Sequence, residues 1–174
     1  MARKCTSIRR LSSKTPEFRK YSSLFLKVKL HRLYQLTYDD FQDSATDGWS
    51  GADFFHGTGH CGCLNLQLNN RVDKNKDITV EELCSSSASL TACATRGILS
   101  YGYLDTCLVS AGGHFFSPRI AVAHAWARFR SPANQPVVPI FVCKARNICQ
   151  KWVESSFVES ENDIMPCYLA IASY

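Results

Sequence analysis

The alternation of apolar and polar positions divides the chain into a strand-rich frame and one helical stretch. Leu24, Leu26, Val28 and Leu30 alternate with Phe25, Lys27, Lys29 and His31. That period of two predicts a strand with one apolar face within Tyr21–Tyr38, with Lys27 and Lys29 on an edge or solvated side. Asp53–Gly59, DFFHGTG, predicts a short apolar strand ending in His56 and glycines. Val137–Ala145, VVPIFVCKA, is apolar and β-branched and predicts a buried strand. Pro139 has no N–H to give a ladder, which asks for an edge or a bulge. Ser155–Glu159 and Cys167–Ala172 predict two more strands, with residues 160–166 turning between them.

Helical spacing is clearest from Ala111 to Phe129, AGGHFFSPRIAVAHAWARF. Ile120, Ala123 and Ala127 fall at i, i+3 and i+7, one stripe of a helix. Ser117 is placed to cap that helix and Pro118 to begin it. Gly112 and Gly113 allow a close backbone approach just before an extended aromatic edge, His114–Phe116. The unit can set Phe115 and Trp126 around a flat ligand; the competing reading is that these aromatics fill core. Thr79 with Glu82 has the spacing of a capping box. Strands crowd the C-terminal half without a βαβ rhythm, so the expected class is α+β on antiparallel sheet, in a single domain.

Charge changes the picture at one end only. The net charge of +5 is concentrated in residues 1–32, which carry ten Lys/Arg and one acid, Glu17. Residues 33–174 carry ten Lys/Arg against fourteen acids, so nucleic acid as a partner is unsupported. Residues 1–20 read as a basic, flexible extension ahead of a domain spanning 21–174. Their composition is shared by organellar import signals, nuclear signals and plain tails. No apolar run nears the roughly 20 residues of a membrane span, so no membrane partner is expected. Nine cysteines, an odd number with no framework spacing, suggest reduced thiols in an intracellular protein, cytoplasmic or nuclear.

Two chemistries compete around His56. In HGTGHCGC, His56, His60, Cys61 and Cys63 fall within eight residues. Zinc takes four such ligands, usually as two separate pairs, and Cys84 and Cys93 do not have the spacing of a second pair. No metal is therefore expected. No cysteine sits in a nucleophile motif.

The second chemistry rests on three blocks in order: Phe54-Phe55-His56-Gly57-Thr58, then Gly112–Ser117 with Ala121–Ala127, then Phe157–Val158 through Pro166-Cys167-Tyr168-Leu169. Together, over roughly residues 52–174, they resemble the catalytic domain of poly(ADP-ribose) polymerases and diphtheria-toxin-like ADP-ribosyltransferases. The resemblance implies a split antiparallel sheet with flanking helices, NAD as substrate, and transfer of ADP-ribose to a protein acceptor. It implies that His56 holds ribose hydroxyls, that Gly57 pairs its backbone with the nicotinamide amide, and that Thr58 offers a small hydroxyl beside them. Gly113 would border the ligand, and Phe115 and Trp126 would stack on the two faces of the nicotinamide, Phe115 standing where the family usually has tyrosine. Where the chain-elongating members place a catalytic glutamate, this chain has Ser155, with Glu154 one residue earlier. A one-residue step along a strand reverses the side chain's face, and a serine hydroxyl cannot supply the charge that offsets an oxocarbenium-like state. Glu159 and Glu161 are further carboxylates that a different turn would bring to the cleft. The departures point to mono-ADP-ribosyl transfer, or to an inactive binding module that keeps the fold.

Overall fold

The computed structural model of the protein describes residues 5–25, 27–38, 49, 51–59, 64, 76–84, 93–102, 114–148, 150–151, 156–158 and 163–173. Its frame is a six-stranded sheet, ordered β3 (Phe54–Gly57), β6 (Val137–Ala145), β9 (Ile164–Ser173), β2 (Leu30–Tyr38), β1 (Cys5–Arg10) and β4 (Asp77–Ile78). A second sheet holds β5 (His114–Phe116), β8 (Ser156–Val158) and β7 (Gln150–Lys151). Every pairing is antiparallel, as the expected α+β class requires. One bridge joins the sheets: Phe55 N–H donates to Ser117 O at 2.6 Å, and Ser117 N–H to Phe55 O at 2.8 Å.

Both faces of the large sheet are covered, which explains why its middle strands do not alternate in sequence. Val138, Ile140 and Val142 of β6, with Ala170 and Ala172 of β9, face one layer. There they meet Tyr21 of α1 (Pro16–Leu24) and Ala123 and Ala127 of α4 (Ile120–Arg130). Phe141, Cys143, Leu169 and Ile171 face the other layer, with Leu83 of α2 (Val80–Leu83), Ile98 and Leu99 of α3 (Ala94–Tyr101), and Phe116. A central strand buried on two sides needs apolar residues at successive positions, so VVPIFVCKA reads as a continuous run.

Helix α4 sits unusually close to β3. A Cβ built on Gly57 would lie 1.7 Å from Ala123 O and 2.7 Å from Ala127 N, and one on Gly59 would lie 2.5 Å from Arg130 O. Small residues on both elements allow this approach. His124 then ties the helix across the sheet, its Nε2 2.7 Å from Ser173 O. A carbonyl only accepts, so that ring nitrogen carries the proton.

Five sequence expectations are corrected. Residues 1–20 are not a free extension: Cys5–Arg10 pairs with both β2 and β4, and Ile8 is 2% exposed. The basic side chains flank a strand whose alternation is interrupted by a register shift between Cys5 and Ser7. Tyr21–Leu24 is helix rather than strand, because Thr15 Oγ1 accepts Phe18 N–H and Pro16 starts the turn. Ser117 does not cap α4. The bridge to Phe55 holds it extended, its Oγ accepts Arg119 N–H, and Arg119 becomes the cap position. Strand β6 is central, and Pro139 fits because its carbonyl accepts Thr58 N–H just past the end of β3. The missing N–H would point to that same side, beyond the last paired residue of β3. The closing strand begins at Ile164 rather than Cys167, so the turn is shorter than expected. Thr79 caps the helix as expected, its Oγ1 accepting Glu82 N–H at 3.1 Å, while Glu82 Oε1 meets Thr79 Oγ1 at 3.3 Å rather than the Thr79 N–H of a full capping box.

Gly57→Ala drives a methyl group into the α4 backbone, so unfolding in urea is expected to show a loss of about 3 kcal/mol. Gly51→Ala, where a Cβ meets nothing within 4 Å, is the control and should be near neutral.

Candidate functional site

Strand β3 divides its side chains between two environments. Phe55 and Gly57 face α4, while Phe54 and His56 face the layer that contains Phe116. Phe54 meets Phe116 edge-on, ring centroids 4.8 Å apart at 69°. His56 pairs with Phe141 across the ladder and is half-buried on that same side. The half-exposed imidazole thus stands beside an aromatic floor.

The backbone of β3 is divided as well. Phe55 turns its N–H and C=O away from β6 and toward Ser117. Two residues on, Gly57 turns its own pair toward the same side, past the point where Ser117 stops. Gly57 O accepts Arg130 Nη1–H at 3.0 Å. Among the described residues the Gly57 N–H meets no acceptor. One donor and one acceptor therefore stand side by side on an edge strand. A carbonyl oxygen has two lone pairs, so Arg130 leaves it capacity for a second donor.

Trp126 is tied to this edge indirectly. It is half-buried on α4, and the Arg130 guanidinium, one turn on, lies 6.0 Å from its ring centroid, the outer limit of a cation–π contact. The same guanidinium bonds Gly57 O. Thr58 is less available than expected: it is 3% exposed, and its N–H is spent on Pro139 O. Gly59 O accepts both the N–H and the Oγ1–H of Thr95, which pins α3 to the end of the strand.

Of the other expected residues, Phe115 lies on β5 opposite Phe157, and its side chain is outside the described part of the structure. Gly113, Glu154, Ser155, Glu159 and Glu161 are outside the described residues, as are His60, Cys61 and Cys63. Among the described residues no three His, Cys, Asp or Glu side chains gather as metal ligands, and no helix is long and apolar enough to cross a membrane. The strands that carry the three sequence blocks are adjacent: β3 is bridged to the end of β5, β5 pairs with β8, and β6 and β9 back β3.

A charged cluster that the pattern of residues did not single out sits at the start of β3. Asp53 Oδ1 takes Lys144 Nζ at 2.8 Å, and Oδ2 takes Lys20 Nζ at 3.1 Å and Tyr21 Oη–H at 2.9 Å. The carboxylate is 10% exposed. Burial alone would raise its pKa, but the hydrogen bonds from Lys144, Lys20 and Tyr21 outweigh it and leave Asp53 below its ordinary 3.8. Burial first, and then the Asp53 charge, push the Tyr21 phenol above its ordinary range, so it stays a donor. Asp53 and Phe55 line an open cavity of about 550 Å³ with Lys20, Leu24 and Ile120. That cavity lies on the α4 side of β3, away from the face that carries His56. Only the position of Asp53 directly before an apolar strand hinted at this cluster.

No family model matches the chain, and no curated protein matches it.

The lowered pKa fixes the sign of a pH effect. Asp53 contributes stability that is fully present above 3.8 and is lost as pH falls through its lower folded-state value. Asp53→Asn should cost about 2–3 kcal/mol at pH 7, and denaturant titrations at pH 7 and pH 2.5 should show a smaller acid loss in the variant than in the parent. Equal acid losses would contradict the assignment.

Proposed function

We propose that this protein binds NAD⁺ at the open edge of β3 and transfers a single ADP-ribosyl group to a protein acceptor. The observation that carries the reading is the N–H and C=O of Gly57, a buried residue at the end of β3, both turned away from β6 beside the half-buried His56. A carboxamide presents one acceptor and one donor, so the nicotinamide end of NAD⁺ complements that pair in both directions. Adjacency of the three blocks supports the resemblance to ADP-ribosyltransferases, because it needs β3, β5 and β8 side by side.

Each residue has a chemical task in this reading. Gly57 orients the carboxamide, and Arg130 shares the carbonyl and holds the edge in place. His56 donates to a ribose hydroxyl. Phe115 and Trp126 supply flat apolar surface for the pyridinium ring, which needs a π-face and not a hydroxyl. NAD⁺ itself supplies the reactive bond, between the ribose anomeric carbon and the pyridinium nitrogen. Its electron pair leaves with nicotinamide, and the acceptor's nucleophile takes the vacated carbon. A carboxylate from the 154–161 segment would stabilise the cationic state, Glu154 and Glu159 being the nearest in sequence to the family's position. Ser155 at that position favours a second reading, an inactive module that binds NAD⁺ or an ADP-ribose-like ligand without turnover.

Calorimetric titration of NAD⁺, with released nicotinamide quantified in the same samples, separates the two. Trp126→Ala is expected to weaken binding about tenfold or more, in line with the loss of one stacked ring, while Glu161→Ala leaves it unchanged. Binding with release supports the transferase, and binding without release supports the module. Negligible effects of both substitutions on binding would refute the pocket.

A further inference from the structure

The cavity on the α4 side of β3 has a chemistry that the NAD reading does not use. It lies between the end of α1, the start of β3 and the first turn of α4, and holds about 550 Å³. Leu24, Phe55, Ile120 and Ala121 give it apolar walls, and among the described residues its polar side chains are Lys20, Asp53 and Arg119. Leu24 is 46% exposed, one of two large apolar side chains left in water among the described residues. Asp53 does not make the site acidic. Its two oxygens take Lys144 Nζ, Lys20 Nζ and Tyr21 Oη–H, so two ammoniums face one carboxylate and the cluster is net positive. Arg119 adds a further cation to the lining.

The geometry points to a binding site for a fatty acid, an aliphatic carboxylate whose chain enters the cavity and whose head meets Lys20. An ammonium has three N–H donors. Among the described residues Lys20 Nζ gives one to Asp53 at 3.1 Å and lies 5.1 Å from the Tyr21 ring centroid. Two donors remain, on a side chain that is 59% exposed. Asp53 is thereby a positioning residue: Lys144 and Tyr21 hold the carboxylate, and the carboxylate holds Lys20 at the cavity. A lysine that is already ordered loses less rotamer freedom when a ligand arrives. The apolar walls decide the rest of the ligand. Polar groups along its length would be left without partners against Leu24, Phe55 and Ile120. A cationic head would be repelled by Lys20 and Arg119. The volume lies in the ordinary range of small-molecule pockets, roughly 300–1,000 Å³. The site uses neither His56 nor Gly57.

The test is calorimetric titration of the purified chain with octanoate, dodecanoate and dodecylammonium, each kept below its micelle concentration. Dodecanoate should bind one-to-one and more tightly than octanoate, by roughly threefold to fourfold for each further CH₂ buried. Dodecylammonium, with the same chain and the opposite charge, should not bind. Lys20→Met keeps most of the stem and removes the charge, and should weaken dodecanoate about tenfold or more. Ala121→Trp fills the cavity from an exposed helix position and should abolish binding. Circular dichroism of both variants should match the parent. The proposal is overturned if dodecanoate shows no saturable binding, if dodecylammonium binds as tightly, or if either folded variant binds dodecanoate like the parent.

Discussion

The close approach of α4 to β3 governs the rest of the structure. Gly57 has no Cβ, and none would fit, because Ala123 O occupies the position. Ala123 and Ala127 are correspondingly small and fully buried. Direct backbone contact fixes both the height and the rotation of the helix, since larger side chains would act as spacers and permit several settings. Helix position in turn fixes Arg130, whose guanidinium reaches back to Gly57 O, and His124, which anchors the far side on Ser173. One glycine therefore seats the helix with its α-carbon and turns its amide away from β6. Any larger residue would alter the packing and the edge together.

This dual use explains which features were legible in the sequence. The stripe Ile120, Ala123, Ala127 announces a helix because 3.6-residue periodicity survives in the sequence whatever lies opposite. His56 followed by glycines marks a strand end for the same kind of local reason. Local chemistry also sufficed at Thr79, where cap and partner are three residues apart. The start of α4 was misplaced because the deciding contact is long-range. Ser117 has the chemistry of a cap, but its backbone is committed to Phe55, 62 positions earlier in the chain. The Arg130–Gly57 bond spans 73 positions, and the Tyr21–Asp53 bond spans 32. Neither leaves a pattern in either segment.

The N-terminal segment shows composition misleading in a different way. Ten basic residues among the first 32 suggest a solvated tail, yet Ile8 and Tyr21 are buried and the segment contributes both a strand and a helix. Charge density describes the exposed side of these elements; the few apolar positions decide whether they fold onto the sheet. Lys20 even serves the frame directly, together with Lys144, by neutralising Asp53 at the entrance to β3. Basic residues here stabilise the same strand whose other end carries His56 and Gly57.

The account's central claim is that the Gly57 edge is where a carboxamide docks. It is tested most directly by the backbone amide resonance of Gly57 in ¹⁵N-labelled protein, titrated with NAD⁺ and separately with nicotinamide. The account predicts that both ligands shift this amide downfield and slow its exchange with solvent, as an N–H that meets no acceptor among the described residues gains one. A Gly57 resonance that stays fixed while either ligand binds elsewhere, or the absence of any binding, would contradict it.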